Sequence, residues 1–124
     1  MYQKILRKII LATYNNTCCI TSIDTTELLV ASHIVPWSKD EKNRLNPMNG
    51  LCLNALHDKA FDAGLITISS DSYCLIVSQK LKKKNSSAYI DQSFLQLEGQ
   101  QINLPDKFLP SKEFLKQHND FFKI

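Results

Sequence analysis

The sequence has little of what marks a fibrous, disordered or membrane-spanning chain. It contains 3 glycines and 4 prolines in 124 residues, and its charged fraction of 22% is ordinary, which argues against a linker, a collagen-like repeat or a disordered segment. No apolar run approaches the roughly 18 to 20 residues that a bilayer span requires, and the first eight residues contain no apolar signal core. We therefore expect a cytoplasmic protein with no membrane partner, folded over residues 1–124 as one domain.

The sequence also lacks a strong charge of either sign. Its formal net charge is +3, which is too small an excess to indicate a nucleic-acid partner by itself. The one dense basic cluster is Lys80, Lys82, Lys83 and Lys84. Such a cluster can neutralise phosphates and make binding depend on salt, although a solvated loop over residues 80–87 is the simpler interpretation.

The cysteines lack the spacing of a zinc site. Structural zinc usually takes two short-range pairs such as C-x2-C, whereas this chain has Cys18 and Cys19 side by side, with Cys52 and Cys74 far along the chain. Adjacent cysteines cannot easily both turn onto one ion. We expect reduced, buried thiols that behave as small apolar residues, and no structural zinc.

The hydrophobic pattern predicts a helix, two strands and a second helix in the first half of the chain. Apolar residues recur at helical spacing over residues 2–15. Residues 28–35 are rich in aliphatic side chains and predict a strand whose regular pairing ends just after His33, because Pro36 has no N–H to donate. The Asn49-Gly50 turn, a strand over 51–53 and a helix over 55–63 follow, with Asn54 as the N-cap and Gly64 as the stop.

The second half predicts a hairpin and a last helix. Residues 65–69 and 73–77 are apolar on either side of a polar turn and are typical of paired strands. Pro110 and Ser111 open a helix in which apolar residues repeat at helical spacing. His118 lies on that apolar face, so a packed core histidine is the preferred interpretation. The fold class is therefore α+β.

Four pieces of sequence, in this order, carry a family resemblance. They are C-C-I-T-S (18–22), A-S-H-I-V-P-W (31–37), N-P-M-N-G-L-C-L (46–53) and L-H-D-K-A-F-D-A-G-L-I (56–66). Each piece alone is weak, but the ordered set resembles the HNH endonucleases, with the core over residues 28–68 and the flanks matching over nearly the whole chain. The resemblance implies a ββα-metal core, in which two strands and a helix hold one divalent cation against a scissile phosphate of DNA.

The resemblance also implies roles for individual residues. His33 would be the general base, since a neutral imidazole can take a proton from an attacking water. His57 would be the metal ligand, with Ser32 where many relatives carry a second ligand, and Asn49 would hold the loop and orient His33. An imidazole ligand suits Mn, Co, Ni or Zn, although a water-filled shell also accepts Mg. Asp62 lies about 140° round the helix from His57, so we expect it to be a structural partner instead.

Residues near this site are candidates for DNA contact. Trp37 could stack on a base or wedge near a groove, and packing beside Pro36 is equally plausible. The basic candidates near the site and in the lysine cluster are Lys39, Lys42, Arg44, Lys59, Lys82, Lys83 and Lys84.

The leading interpretation is a metal-dependent DNA endonuclease of a bacterial restriction or genome-defence system. In such proteins the HNH module usually follows a recognition domain, and almost nothing precedes it here, so we expect a fragment, low specificity or a separate recognition partner; a homodimer is possible. Two alternatives stay open: a catalytically idle nucleic-acid-binding module, which the missing acid at Ser32 favours, and a toxin-like effector nuclease.

Overall fold

The computed structural model describes residues 2–36, 41–83 and 87–124. It confirms an α+β fold with two separate antiparallel strand pairs, β1 with β2 and β3 with β4. In the described ranges the helices and strands are, in order, α1 (Tyr2–Thr13), β1 (Leu29–His33), β2 (Gly50–Asn54), α2 (Ala55–Asp62), β3 (Ile66–Ile68), β4 (Leu75–Val77), α3 (Gln79–Lys83), α4 (Ala88–Ser93) and α5 (Lys112–Phe122).

Helix α1 packs its apolar face on the first strand pair. Leu6 and Ile10 are buried on this face, as the helical spacing predicts. The helix ends at Thr13, two residues earlier than expected, because Asn15 and Asn16 both take left-handed backbone conformations with φ of 55° and 54°. Asparagine tolerates this conformation better than most residues.

The strand pair β1–β2 and helix α2 form a ββα unit. In the register of this pair, His33 lies opposite Gly50 and Leu29 lies opposite Asn54. All five residues of β2 are buried. The Asn54 side chain accepts from the N–H groups of Leu56 and His57, so it caps the start of α2 as the sequence predicts.

The pairing of strand β1 ends at His33, as the sequence predicts, although the aliphatic run extends to Val35. The physical reason is a change of partner: the Ile34 N–H donates to the Asn49 carbonyl, and the Val35 N–H donates to the Asn49 side chain. These two residues therefore bind the chain segment that precedes β2.

The last helix covers the second strand pair, and the predicted hairpin is confirmed. Strand β3 pairs with β4 from Ile66 opposite Val77 to Ile68 opposite Leu75. Helix α5 begins after Ser111, whose side chain accepts from the Phe114 N–H. It buries Leu115 completely.

Two segments after the hairpin differ from expectation. Residues 79–83 form helix α3 where the sequence predicts a loop. Lys82 pairs with Glu98 at 2.8 Å, a contact across 16 positions that local lysine content does not reveal. Residues 88–93 form helix α4, which begins where the Ser87 side chain accepts from the N–H groups of Tyr89 and Ile90.

None of the helices in the described part of the chain has the length and apolar character needed to span a bilayer.

Candidate active site

His33 lies at the end of β1, half-buried, with its ring held by a main-chain carbonyl. Its Nε2 is 3.1 Å from the carbonyl oxygen of Arg44. Because a carbonyl only accepts, Nε2 carries the proton in this contact, and a neutral ring then carries its lone pair on Nδ1. The contact therefore fixes the tautomer in which Nδ1 can accept a proton.

Asn49 ties together both segments that support His33. The side chain is completely buried. Its Oδ1 accepts from the Val35 N–H at 2.9 Å, and its Nδ2 donates to the Val35 carbonyl at 3.0 Å and, more weakly, to the Asn43 carbonyl at 3.5 Å. Val35 follows His33 by two residues, and Asn43 precedes Arg44, whose carbonyl holds the imidazole. One amide thus fixes both the strand end and the loop.

A cleft of about 280 Å³ is lined by both His33 and Asp62. Asp62 is the last residue of α2, and its side chain is exposed. Partial burial and the neighbouring Asp58 carboxylate raise the pKa of Asp62, while Lys59 and His33 act in the opposite direction. The interaction with His33 is consistent with the two side chains facing the same space.

His57 does not lie in this cleft. It is 2% exposed, and its ring stacks on Phe94 with centroids 4.4 Å apart. Its Nε2 donates to the Ser93 carbonyl at 2.7 Å, and its Nδ1 accepts from the Asn54 Nδ2 at 3.0 Å. Both ring nitrogens are therefore used inside the protein, and burial lowers the pKa of His57.

The resemblance makes His57 a metal ligand, but its ring does not line the cleft that contains His33, and strand geometry explains why. Helix α2 starts at Asn54, which pairs with Leu29 at the far end of β1. Four residues of strand separate that end from His33, about 13 Å at 3.3 Å per residue. The first turn of α2 thus lies away from His33, and the helix returns toward it only at Asp62.

Ser32 is buried and does not line the cleft beside His33. It is 2% exposed, and its Oγ has no hydrogen-bond partner among the residues that the structure describes. Strand alternation directs neighbouring side chains to opposite faces, so Ser32 and His33 do not share one space. Burial without a partner does not by itself make Ser32 a metal ligand.

The donors in the cleft fit one kind of cation. Within the described ranges, no group of three or more histidine, cysteine or acidic side chains is arranged to hold a metal ion. The cleft offers the Asp62 carboxylate and open space for water. Mg²⁺ is commonly held by one or two carboxylates together with waters and substrate phosphate, so the residues present fit a largely hydrated ion better than a site closed by protein ligands.

The predicted DNA-contact residues are spread over several surfaces. Lys42 is exposed on the loop after His33, and the Arg44 guanidinium lies 4.7 Å from the centre of the Tyr2 ring. Lys59 is exposed on α2, near Asp62. Lys82 is paired with Glu98, while Lys83 is exposed at the end of α3. Trp37, Lys39 and Lys84 lie outside the described residues.

His118 and three of the cysteines are buried in the protein core. His118 donates from Nε2 to the Phe61 carbonyl and accepts at Nδ1 from the Thr67 hydroxyl, at 3.0 and 2.7 Å, which confirms a packed core histidine. Cys18, Cys19 and Cys52 are buried and unbridged. Burial, reinforced by Cys18, raises the pKa of Cys52 to about 11, so this thiol is protonated near neutral pH.

Sequence reasoning missed Asp62 as a cleft residue. Asp62 does lie about 140° round the helix from His57. Because His57 points into the core, this angle places Asp62 away from the core and does not exclude it from the cleft. The useful signal was the buried pattern of α2: His57 and Phe61 are four residues apart on the inner face, so Asp62 must project elsewhere.

A short antiparallel strand pair followed by a helix, with a histidine at the end of the first strand, is the ββα arrangement that the sequence resemblance implies. The family model of the HNH endonucleases matches residues 18–69, a range that includes β1, β2, α2 and β3. This match supports the resemblance to the HNH endonucleases that the ordered motifs predict. A comparison with curated proteins finds no match. The match supports a nuclease function in general terms, and HNH nucleases generally use a divalent metal.

Proposed function

We propose that the chain is a divalent-metal-dependent DNA endonuclease in which His33 is the general base. The observation that carries the proposal is the Nε2 contact with the Arg44 carbonyl, which keeps Nδ1 as the proton acceptor of the neutral ring. General bases of this kind contribute about 10²- to 10⁴-fold to rate. The single domain over residues 1–124 and a role in restriction or genome defence are parts of this proposal that rest on the sequence resemblance.

The chemistry follows from the position of His33 at the mouth of the cleft. Nδ1 takes a proton from a water molecule, and the oxygen of that water attacks phosphorus. The bond from phosphorus to the 3′-oxygen breaks, and the departing oxygen takes a proton from solvent water, which leaves a 5′-phosphate on one product and a 3′-hydroxyl on the other. Asn49 does not touch the reacting atoms in this scheme; it keeps the imidazole at a fixed angle through Val35 and Asn43.

A divalent cation, when bound, offsets negative charge on the phosphate and on the departing oxygen. We propose Asp62 as its protein ligand, in place of His57 and Ser32. Asp62 shares the cleft with His33, and a carboxylate facing a phosphate is repulsive unless a cation lies between them. His57 instead joins α2 to the end of α4 through the Ser93 carbonyl.

A second candidate function is a nucleic-acid-binding module that does not cleave. The engagement of both His57 nitrogens favours it, because the residue that the resemblance assigns to the metal is not available in this structure. The two candidates differ in one property: only the nuclease needs Asp62 to bind a cation.

The experiment is conversion of supercoiled plasmid to nicked and linear forms in Mg²⁺, Mn²⁺, Ni²⁺, Co²⁺ or Zn²⁺. The variant is Asp62→Asn, and the matched control is Asp106→Asn, which changes another exposed aspartate. Cleavage by the wild type and by Asp106→Asn, with loss in Asp62→Asn, supports the nuclease. DNA binding in a mobility-shift assay without cleavage in any cation would instead support the binding module.

A further inference from the structure

Phe121 is an exposed aromatic side chain on the wall of the cleft that contains His33. Its exposed fraction is 67%, which is unusual for a phenylalanine, since large apolar residues are mostly buried. It lies one residue from the end of α5 and lines the same cleft as His33 and Asp62. With Pro36 and Phe122 it lines an apolar part of the cleft, and contiguous apolar surfaces mark interaction sites more often than single exposed side chains do.

Packing behind Phe121 holds its position. The Phe122 ring lies 4.9 Å from the His118 ring and meets the Phe121 ring nearly edge-on, at 87° with centroids 4.9 Å apart. Phe122 also fills the space beside Gly64, where an added Cβ would lie 2.2 Å from its Cδ1. The end of α5 is therefore fixed, and the Phe121 ring is presented on a rigid support.

The cleft is lined by both polar and apolar side chains. The polar ones are His33, Asp62, Gln117 and His118, and the apolar ones are Ile34, Val35, Pro36, Phe121 and Phe122. A nucleotide also combines the two kinds of surface, with a charged phosphate at one end and a flat apolar base face at the other. The cleft volume of about 280 Å³ is near the lower end of the range for small-molecule sites.

The base must be out of its stack to reach such a surface. In a duplex, base faces are covered by their neighbours, and a protein at the backbone meets only sugar and phosphate. In a single strand, exposed base faces stack on aromatic side chains, and each such contact contributes about 1–3 kcal/mol. Stacking of this kind tolerates any base, because every base has a π-face.

We propose that Phe121 stacks on an unpaired base next to the phosphate that lies at His33, so that the preferred substrate is single-stranded or locally unpaired DNA. This inference rests on the proposed nuclease function, because it takes the position of the phosphate from His33. The occupant of the apolar part of the cleft is a nucleobase of the substrate strand.

The test measures the Kd of a single-stranded oligonucleotide and of the matching duplex, both carrying 2-aminopurine, in a common His33→Ala background that prevents cleavage. The variants are Phe121→Ala and Phe121→Trp, with Phe108→Ala as the control at another exposed phenylalanine. We expect Phe121→Ala to weaken single-strand binding by about 5- to 100-fold, to leave duplex binding unchanged and to abolish quenching of 2-aminopurine. Phe121→Trp should retain the affinity and the quenching.

Two outcomes would overturn the inference in distinguishable ways. If the wild type cleaves DNA but Phe121→Ala binds the single strand as Phe108→Ala does, the stacking role is wrong and the nuclease proposal stands. If no variant binds either DNA and the wild type does not cleave, the proposed function and the inference fall together.

Discussion

Asn49 and Val35 are joined by a closed pair of hydrogen bonds, in which the amide of one residue matches the main chain of the other. Oδ1 accepts from the Val35 N–H at 2.9 Å, and Nδ2 donates to the Val35 carbonyl at 3.0 Å. The pair is buried and lies two residues beyond His33. It ties the chain just after His33 to the residue that precedes β2, which supports the proposal that Asn49 orients the imidazole.

Asn49→Ala should lower both stability and cleavage. It leaves the Val35 N–H and carbonyl buried without their partner, and each unsatisfied group costs about 1–3 kcal/mol. We expect a lower midpoint of chemical unfolding and a cleavage rate that falls less than in His33→Ala, because the base itself remains. Rates at saturating DNA and unfolding curves measure the two effects. A larger rate loss in Asn49→Ala than in His33→Ala would reverse the assigned roles.

Cation binding should depend on Asp62 and not on His57. Asp62→Asn removes the carboxylate from the cleft and should weaken Mn²⁺ binding by about tenfold or more, measured by calorimetric titration without DNA. His57→Gln retains an N–H that can donate to the Ser93 carbonyl, so a folded His57→Gln chain should bind Mn²⁺ like the wild type. If His57→Gln lost Mn²⁺ binding and Asp62→Asn retained it, His57 and not Asp62 would be the metal ligand.

Acid should destabilise the fold through His118. Burial lowers the pKa of His118 from 6.5 to about 4, so between these values the unfolded chain binds a proton that the folded chain does not. Stability is therefore complete above pH 6.5 and falls toward pH 4, by about 3 kcal/mol from this residue. His57 contributes in the same direction, because burial also lowers its pKa.

Denaturant unfolding measured at pH 7 and pH 4.5 checks this prediction. His118→Gln removes the titrating group, so its stability should be lower at pH 7 yet change less between the two pH values. An equal pH dependence in wild type and variant would show that His118 is not the group that couples protonation to unfolding.

Gly64→Ala should be strongly destabilising, with Gly99→Ala as a matched control. Both glycines have positive φ, of 72° and 87°, but an added Cβ meets Phe122 at 2.2 Å in the first case and nothing within 4 Å in the second. Gly99→Ala therefore carries only the conformational cost of about 1–2 kcal/mol, while Gly64→Ala adds overpacking of about 1–3 kcal/mol. Equal melting temperatures for the two variants would contradict the tight contact between Gly64 and Phe122.

The sequence predicted those features that depend on residues close together in the chain. Asn54 caps α2 because its side chain reaches N–H groups two and three residues ahead, and this pattern is visible in the sequence. The end of β1 near His33 followed from Pro36. In each case the determining partners lie within about 20 positions of one another.

The sequence could not predict those features that depend on contacts between residues far apart in the chain. His57 points inward because Ser93 and Phe94, more than 35 positions later, supply a carbonyl and an aromatic face. The short helix α3 is tied to Glu98 through Lys82, although its lysines alone favour a loop. In the sequence, Phe121 is one of the apolar positions that repeat at helical spacing in α5. In the structure its neighbour Phe122 packs beside Gly64, and the Phe121 side chain is exposed.

The most direct measurement of the central claim is the single-turnover rate of plasmid cleavage in Mn²⁺ by wild type and His33→Ala, with equal folding verified by circular dichroism. With His33 as general base, the rate constant should fall by about 10²- to 10⁴-fold in His33→Ala, while Asp106→Asn cleaves at the wild-type rate. A His33→Ala chain that cleaves as fast as the wild type would contradict the account.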